Sequence, residues 1–255
     1  VLSLVVALVA GWRSFQTGVT TDLHIASAIL FTYSLGGIGV GAVVVNRLLL
    51  RVSAGLFWLA LVHAMLFNLP LRQTLFTWIQ DDWAAWLGAQ LSHGILCSLA
   101  ACLAWTLNRR SVHKDQRPAW LGVAAQELSW ASLVSAGLAI PLAIWQHYTL
   151  YGLLASELFV TAAVWLVGTL IHRTRYEFAV FQGLCFVAVN FLVARLTATT
   201  GSELTWQQPA FWNYQLLAVG ISCAGWNLLR LWCPTNSQLR SLLNEKQAPC
   251  DLIVL

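Results

Sequence analysis

The stretch Leu23–Asn46, LHIASAILFTYSLGGIGVGAVVVN, contains no Asp, Glu, Lys or Arg, and Arg47 follows it at once. At ~1.5 Å per residue, a helix over this stretch crosses the ~30 Å of hydrocarbon in a bilayer. Comparable apolar runs lie near 54–70, 84–107, 119–145, 149–171, 177–198 and 209–232. The second is the shortest, and Pro70 predicts a break close to the interface there. The pattern predicts an all-α fold, a polytopic transmembrane helix bundle with about seven spans.

Composition points the same way. Of the 255 residues, 58% are hydrophobic and 9% charged, against roughly 25% charged in soluble domains. So few charges cannot clothe a water-facing surface, and the partner that covers this one is the lipid bilayer. The net charge of +4 is spread over several loops, so the clustered Lys and Arg of a nucleic-acid footprint are missing. None of the six cysteines forms a C-x-x-C pair, which removes the usual iron–sulfur and zinc-ribbon signatures. No metal centre is expected in this chain. A cysteine in an apolar run reads as a small core hydrophobe.

The sequence opens at Val1 without an initiator Met, so a processed, truncated or partial chain is expected. Residues 1–22 read as an amino-terminal segment, the remnant of a span or signal. Residues 23–232 read as the helix bundle, and 233–255 as a cytoplasmic tail.

Loop charges set the expected threading. Eleven basic residues (Arg47, Arg51, Arg109, Arg110, Lys114, Arg117, Arg173, Arg175, Arg230, Arg240 and Lys246) follow spans one, three, five and seven. Only Arg13, Arg72 and Arg195 fall on the other side. The positive-inside rule places the amino end outside and the carboxyl end in the cytoplasm. Trp83, Trp86, Trp206 and Trp212 at outer ends, and Trp105, Trp120 and Trp232 at inner ends, read as interfacial anchors.

Ionisable groups inside a span are functional candidates. His63 lies about seven residues before the outer end of the second span, and His93 about nine after the outer start of the third. Consecutive antiparallel helices are neighbours, so the two imidazoles are expected to face each other ~10–14 Å below the outer surface. Three roles fit them: axial ligation of a haem, a quinone pocket with proton relay, or hydrogen bonds to backbone and neighbouring side chains. Gln90 precedes His93 by three residues and shares its face. Gln126, Glu127, Glu157, Gln182, Asn190 and Gln215 add buried polar groups. Glu127 and Glu157 each need a proton or a partner in hydrocarbon. A helix-packing network and a proton path both suit this set. The run Ser34-Leu-Gly-Gly-Ile-Gly-Val-Gly41 predicts close helix approach. His24 and His147, at span ends, and His113 and His172, near basic loops, read as interfacial.

The order of these features resembles the membrane anchor subunits of dimethyl-sulfoxide-reductase-type molybdoenzymes. The likeness begins with Ile29-Leu-Phe-Thr-Tyr and the glycine-rich half-span, and continues through Arg51-Val-Ser-Ala-Gly-Leu-Phe to Ala64-Met-Leu-Phe-Asn-Leu-Pro-Leu-Arg72. Trp86-Leu-Gly-Ala-Gln-Leu-Ser-His-Gly94, Ala139-Ile-Pro-Leu-Ala-Ile-Trp145 and the long connection Thr197–Gln208 complete it. It covers residues 25–232, and the ordered set carries it rather than any single motif. The family's quinol-site histidine falls on Phe67 and its glutamate on Gln90, while His63 and His93 keep imidazoles on comparable faces. The family's eighth span has no counterpart.

The resemblance implies a chain in the bacterial cytoplasmic (inner) membrane that oxidises quinol, menaquinol or ubiquinol. It implies an iron–sulfur subunit and a molybdopterin catalytic subunit as partners on the outer face. It assigns the quinol site to His63, Phe67, Arg72, Gln90 and His93, with His63, Gln90 and His93 handling protons. Asp81, Asp82 and Glu203, with Arg72, are the docking residues it implies. The rival expectations are a polytopic small-molecule transporter using Glu127 and Glu157, and a b-haem membrane cytochrome using His63 and His93.

Overall fold

The computed structural model describes residue 9 and residues 20–75, 82–112, 119–145, 151–172, 175–198 and 209–232. Every regular element among them is helical: α1 (Thr20–Val43), α2 (Arg47–Leu66), α3 (Leu69–Leu75), α4 (Asp82–Val112), α5 (Ala119–Trp145), α6 (Tyr151–His172), α7 (Arg175–Ala198) and α8 (Pro209–Trp232). The chain is an all-α polytopic bundle. Among the described residues, six helices (α1, α2, α4, α5, α6 and α7) are long and apolar enough to cross a membrane. The seventh expected span, α8, has the length, but Asn213, Gln215 and Asn227 lower its apolarity.

The chain divides into two compact units, residues 1–146 and 147–255. In the first, α1 packs on α2, α2 on α4 and α5, and α4 on α5. Contacts fix the directions. Ser27 reaches His63 and Gly37 meets Ser53, so α1 and α2 are antiparallel. His93 meets Ala54 while Trp86 meets Trp58, so α4 also opposes α2. Glu127 meets Arg51 and Ser135 meets His93, so α5 runs parallel to α2. One end of this unit is therefore marked by Arg47, the other by Leu66 and Asp82. In the second unit, Tyr151 against Phe191 and Trp165 against Tyr176 make α6 and α7 antiparallel. Trp226 packs on Phe178 and Phe181 of α7, and Gln215 Nε2 donates to the Asn190 carbonyl, 3.3 Å away.

The interior is built from small residues. Ala60, Ala85, Ala89, Ala101, Ala125, Ala136 and Ala139 are fully buried, whereas Leu48, Leu99, Leu103 and Val134 point outward. That inversion suits a lipid solvent, in which apolar bulk gains nothing by burial and helices associate through close backbone contact. Trp105, near the end of α4, is buried within the protein.

The boundaries of α2 differ from the expected 54–70. Asn46 caps the helix, its Oδ1 accepting from the Leu49 amide at 3.0 Å, so α2 begins at Arg47 and carries both arginines. It ends at Leu66, before Pro70. Pro70 falls inside the first turn of α3, where its missing N–H is not needed. The α1–α2 turn places Val45 at φ 58°, a left-handed conformation that crowds a β-branched side chain. Val45→Gly is expected to raise the thermal unfolding midpoint, corresponding to about 1 kcal/mol of relieved strain.

Candidate functional site

Three helix faces meet around one cavity in the first unit. From α2 come Arg51, Ala54, Gly55 and Trp58; from α4, Gln90 and His93; from α5, Glu127, Trp130, Ala131, Val134, Ser135 and Leu138. The spacings of three, four and seven residues are those of single helical faces. The cavity measures about 540 Å³, within the usual range of small-molecule sites.

His93 sits in its wall with both ring nitrogens engaged. Nε2 lies 3.0 Å from the Ala54 carbonyl and Nδ1 2.6 Å from Ser135 Oγ. A carbonyl only accepts, so the network assigns the proton to Nε2, and Nδ1 accepts from the Ser135 hydroxyl. Cys97 Sγ stands 3.5 Å from Nε2, and the Phe57 ring packs 5.7 Å away. Beside it, Gln90 Oε1 is buried with no hydrogen-bond partner among the described residues, as is Trp58 Nε1. One acceptor and one donor thus stay unsatisfied on residues lining the same cavity. Buried polar groups of this kind are uncommon in folded proteins.

At the Arg47 end, Glu127 is gripped by Arg51, with Nε–Oε2 at 2.7 Å and Nη2–Oε1 at 3.2 Å. Arg47 Nη1 stands 3.7 Å from Oε1. The Glu127 side chain is 3% exposed and that of Arg51 64%, so the carboxylate lies in the wall while its counter-charge reaches the surface. Long basic side chains do this at interfaces, laying the stem along apolar surface and keeping the head in polar surroundings.

The expected site residues separate into two groups. Gln90 and His93 come together at the cavity. His63 sits nine residues beyond Ala54, two and a half helical turns on and so on the opposite face of α2. Its Nδ1 lies 3.0 Å from Ser27 Oγ on α1, and its ring packs at a tilt against Phe67, 5.8 Å between centroids. Phe67 closes α2, its N–H donating to the His63 carbonyl. Arg72 Nη1 bonds Asp82 Oδ1 at 3.1 Å and ties the α3 segment to α4. The two imidazoles do not face each other. His93 is level with Ala54, twelve residues (about 18 Å) from Leu66 along α2.

A second polar cluster surrounds His63. Asn68 Nδ2 lies 3.0 Å from His24 Nδ1 and 3.2 Å from Ser27 Oγ, and Ser27 Oγ lies 3.0 Å from the Leu23 carbonyl. This cluster closes the α2–α3 corner.

In the second unit, Glu157 is fully buried and neither carboxyl oxygen has a partner among the described residues; Gln182 Oε1 is also unpartnered among them. Asn190 bonds back to its own helix at the Phe186 carbonyl. His172 pairs with Glu177 at 2.8 Å. Asp81, His113, His147, Glu203 and Trp206 lie outside the described residues.

Trp58, Trp130 and the Arg51–Glu127 grip were not among the site residues expected from sequence. The signal for Trp130 was its spacing of three from Glu127. The ion pair spans 76 positions, which no local pattern encodes. No protein-family model, curated protein or solved structure matches the chain.

Proposed function

We propose that the chain is the membrane anchor subunit of a respiratory molybdoenzyme complex, binding membrane quinol in the cavity of the first unit and passing its electrons to an iron–sulfur subunit. The observation that carries this reading is a mostly apolar cavity whose wall holds Gln90 and Trp58, each with a buried polar atom, Oε1 and Nε1, that has no hydrogen-bond partner among the described residues, beside the polar groups of Arg51, His93, Glu127 and Ser135. A quinol ring is flat and apolar, with hydroxyl groups that donate and accept. Its hydroxyl proton suits Gln90, its oxygen suits the Trp58 indole, and Trp130 offers a second flat surface. Glu127, in the cavity wall and held by Arg51, is the carboxyl group nearest to hand for the protons that oxidation releases.

The remaining parts follow from the ordered resemblance and the loop charges. The amino end lies outside and the carboxyl end in the cytoplasm of a bacterial inner membrane. The iron–sulfur and molybdopterin subunits dock on the outer face, where Asp82 and Arg72 stand, and the terminal substrate belongs to the molybdopterin subunit. A haem bridged by His63 and His93 fits the geometry poorly. Iron would have to displace Ala54 or Ser135 from His93, and His63 projects from the other side of α2.

Equilibrium binding of a short-tailed quinone analogue to the purified protein tests the site. Gln90→Leu is expected to weaken binding about tenfold, the loss of one buried hydrogen bond, and Trp58→Phe to weaken it similarly. Wild-type protein that fails to bind the analogue, or equal affinity in all three proteins, rules this site out. Co-purification of an iron–sulfur subunit checks the anchor role.

A further inference from the structure

The two ends of the cavity differ in how they communicate with the surface. At the Arg47 end, the buried carboxylate of Glu127 lies in the cavity wall, Arg51 lines the same cavity and reaches the surface, and Arg47 adds a second cation. Charged groups therefore run continuously from the cavity to the exterior. Toward the Leu66 end the buried residues include Leu61, Val62 and Met65 of α2 and Ala85 and Leu87 of α4, with Gln90 the polar lining group on that side. Of the imidazoles there, His63 is turned to Ser27 of α1 and His24 lies against Asn68. His93, deeper in the cavity, has both nitrogens engaged. A proton leaving a ligand in this cavity meets, in one direction, the Glu127 carboxyl group, joined to the surface by Arg51 and Arg47, and in the other the Gln90 amide followed by mostly hydrocarbon side chains.

We propose that the cavity ligand exchanges its protons with water through Glu127 at the Arg47 end of the bundle. This rests on the quinol reading above and extends it to sidedness. Oxidation breaks the two O–H bonds of the quinol and yields quinone, two protons and two electrons. The protons pass one at a time to the Glu127 carboxylate and on to water past Arg51 and Arg47. The electrons go to the iron–sulfur cluster of the partner. With that partner at the Asp82 end, the two products leave by opposite ends of the unit, and each turnover moves charge across the bilayer. Run in reverse, quinone reduction draws its protons from the Arg47 end.

The test uses the complex as purified with its partner subunits, reconstituted in phosphatidylcholine vesicles. A short-tailed quinol is the donor, a membrane-impermeant electron acceptor serves the outward-facing partner, and a potential-sensitive dye reports charge movement. Wild-type complex is expected to develop a membrane potential during turnover, abolished by an ionophore. Glu127→Gln is expected to lower turnover about 100-fold while binding the quinone analogue within about threefold of wild type, and Glu127→Asp to recover part of the rate. Turnover without a potential, or Glu127→Gln turning over like wild type, overturns the sidedness and leaves the quinol site standing. Loss of analogue binding by the wild-type protein overturns both.

Discussion

Replacing Gly37 with leucine is expected to lower the unfolding free energy of the protein by about 3 kcal/mol, measured by denaturation in detergent micelles. A Cβ at Gly37 would run into the Ser53 hydroxyl across the α1–α2 crossing. The remaining leucine atoms have nowhere to go without moving the helices apart, and overpacking of this kind costs a few kcal/mol. The neighbouring glycine supplies the control. A Cβ at Gly36 meets nothing within 4 Å, so Gly36→Ala is expected to gain up to about 1 kcal/mol from helix propensity alone. If both substitutions destabilise equally, the α1–α2 approach described above is wrong. Quinone-analogue binding is expected to survive at Gly36 and to fall with the fold at Gly37.

The second large effect runs in the opposite direction. Glu157→Leu is expected to raise the thermal unfolding midpoint, corresponding to about 2 kcal/mol. The carboxyl is fully buried and both oxygens lack partners among the described residues, and burying a polar group without a hydrogen bond costs roughly 1–3 kcal/mol in proteins. Leucine is similar in volume and brings no such cost. Glu157→Gln keeps the shape but retains two polar groups, so it is expected to recover little. A Leu variant less stable than wild type would show that Glu157 satisfies a need that packing alone does not.

How much of this was legible beforehand differs between levels. The all-α class was written in apolar runs longer than a bilayer is thick, and every regular element described is helical. The start of α2 was misplaced because Arg47 and Arg51 look like loop charges, although Asn46 ahead of them is a capping residue that puts them inside the helix. Gln90 and His93 were readable as one face because their spacing of three is local. The expected meeting of His63 with His93 failed for want of the α2–α4 register: once Ala54 is known to face α4, nine residues carry His63 to the far side. The glycine run was half right. Gly37 and Gly41 lie against α2, while Gly36 and Gly39 face open space. Nothing in the composition marks which two of the four do so, because that depends on the crossing point. The grip of Arg51 on Glu127 joins distant positions and needed the fold itself.

The choice of small side chains around the site has a kinetic consequence. Part of the cavity wall is Ala54, Gly55 and Ala131, residues with no rotamer that could swing inward and fill the space. When a ligand departs, that part of the wall keeps its shape. A guest then enters a ready-made vessel, with little ordering entropy to lose on arrival. Association is expected to follow a single exponential whose rate rises linearly with analogue concentration, without a plateau set by a slow opening step.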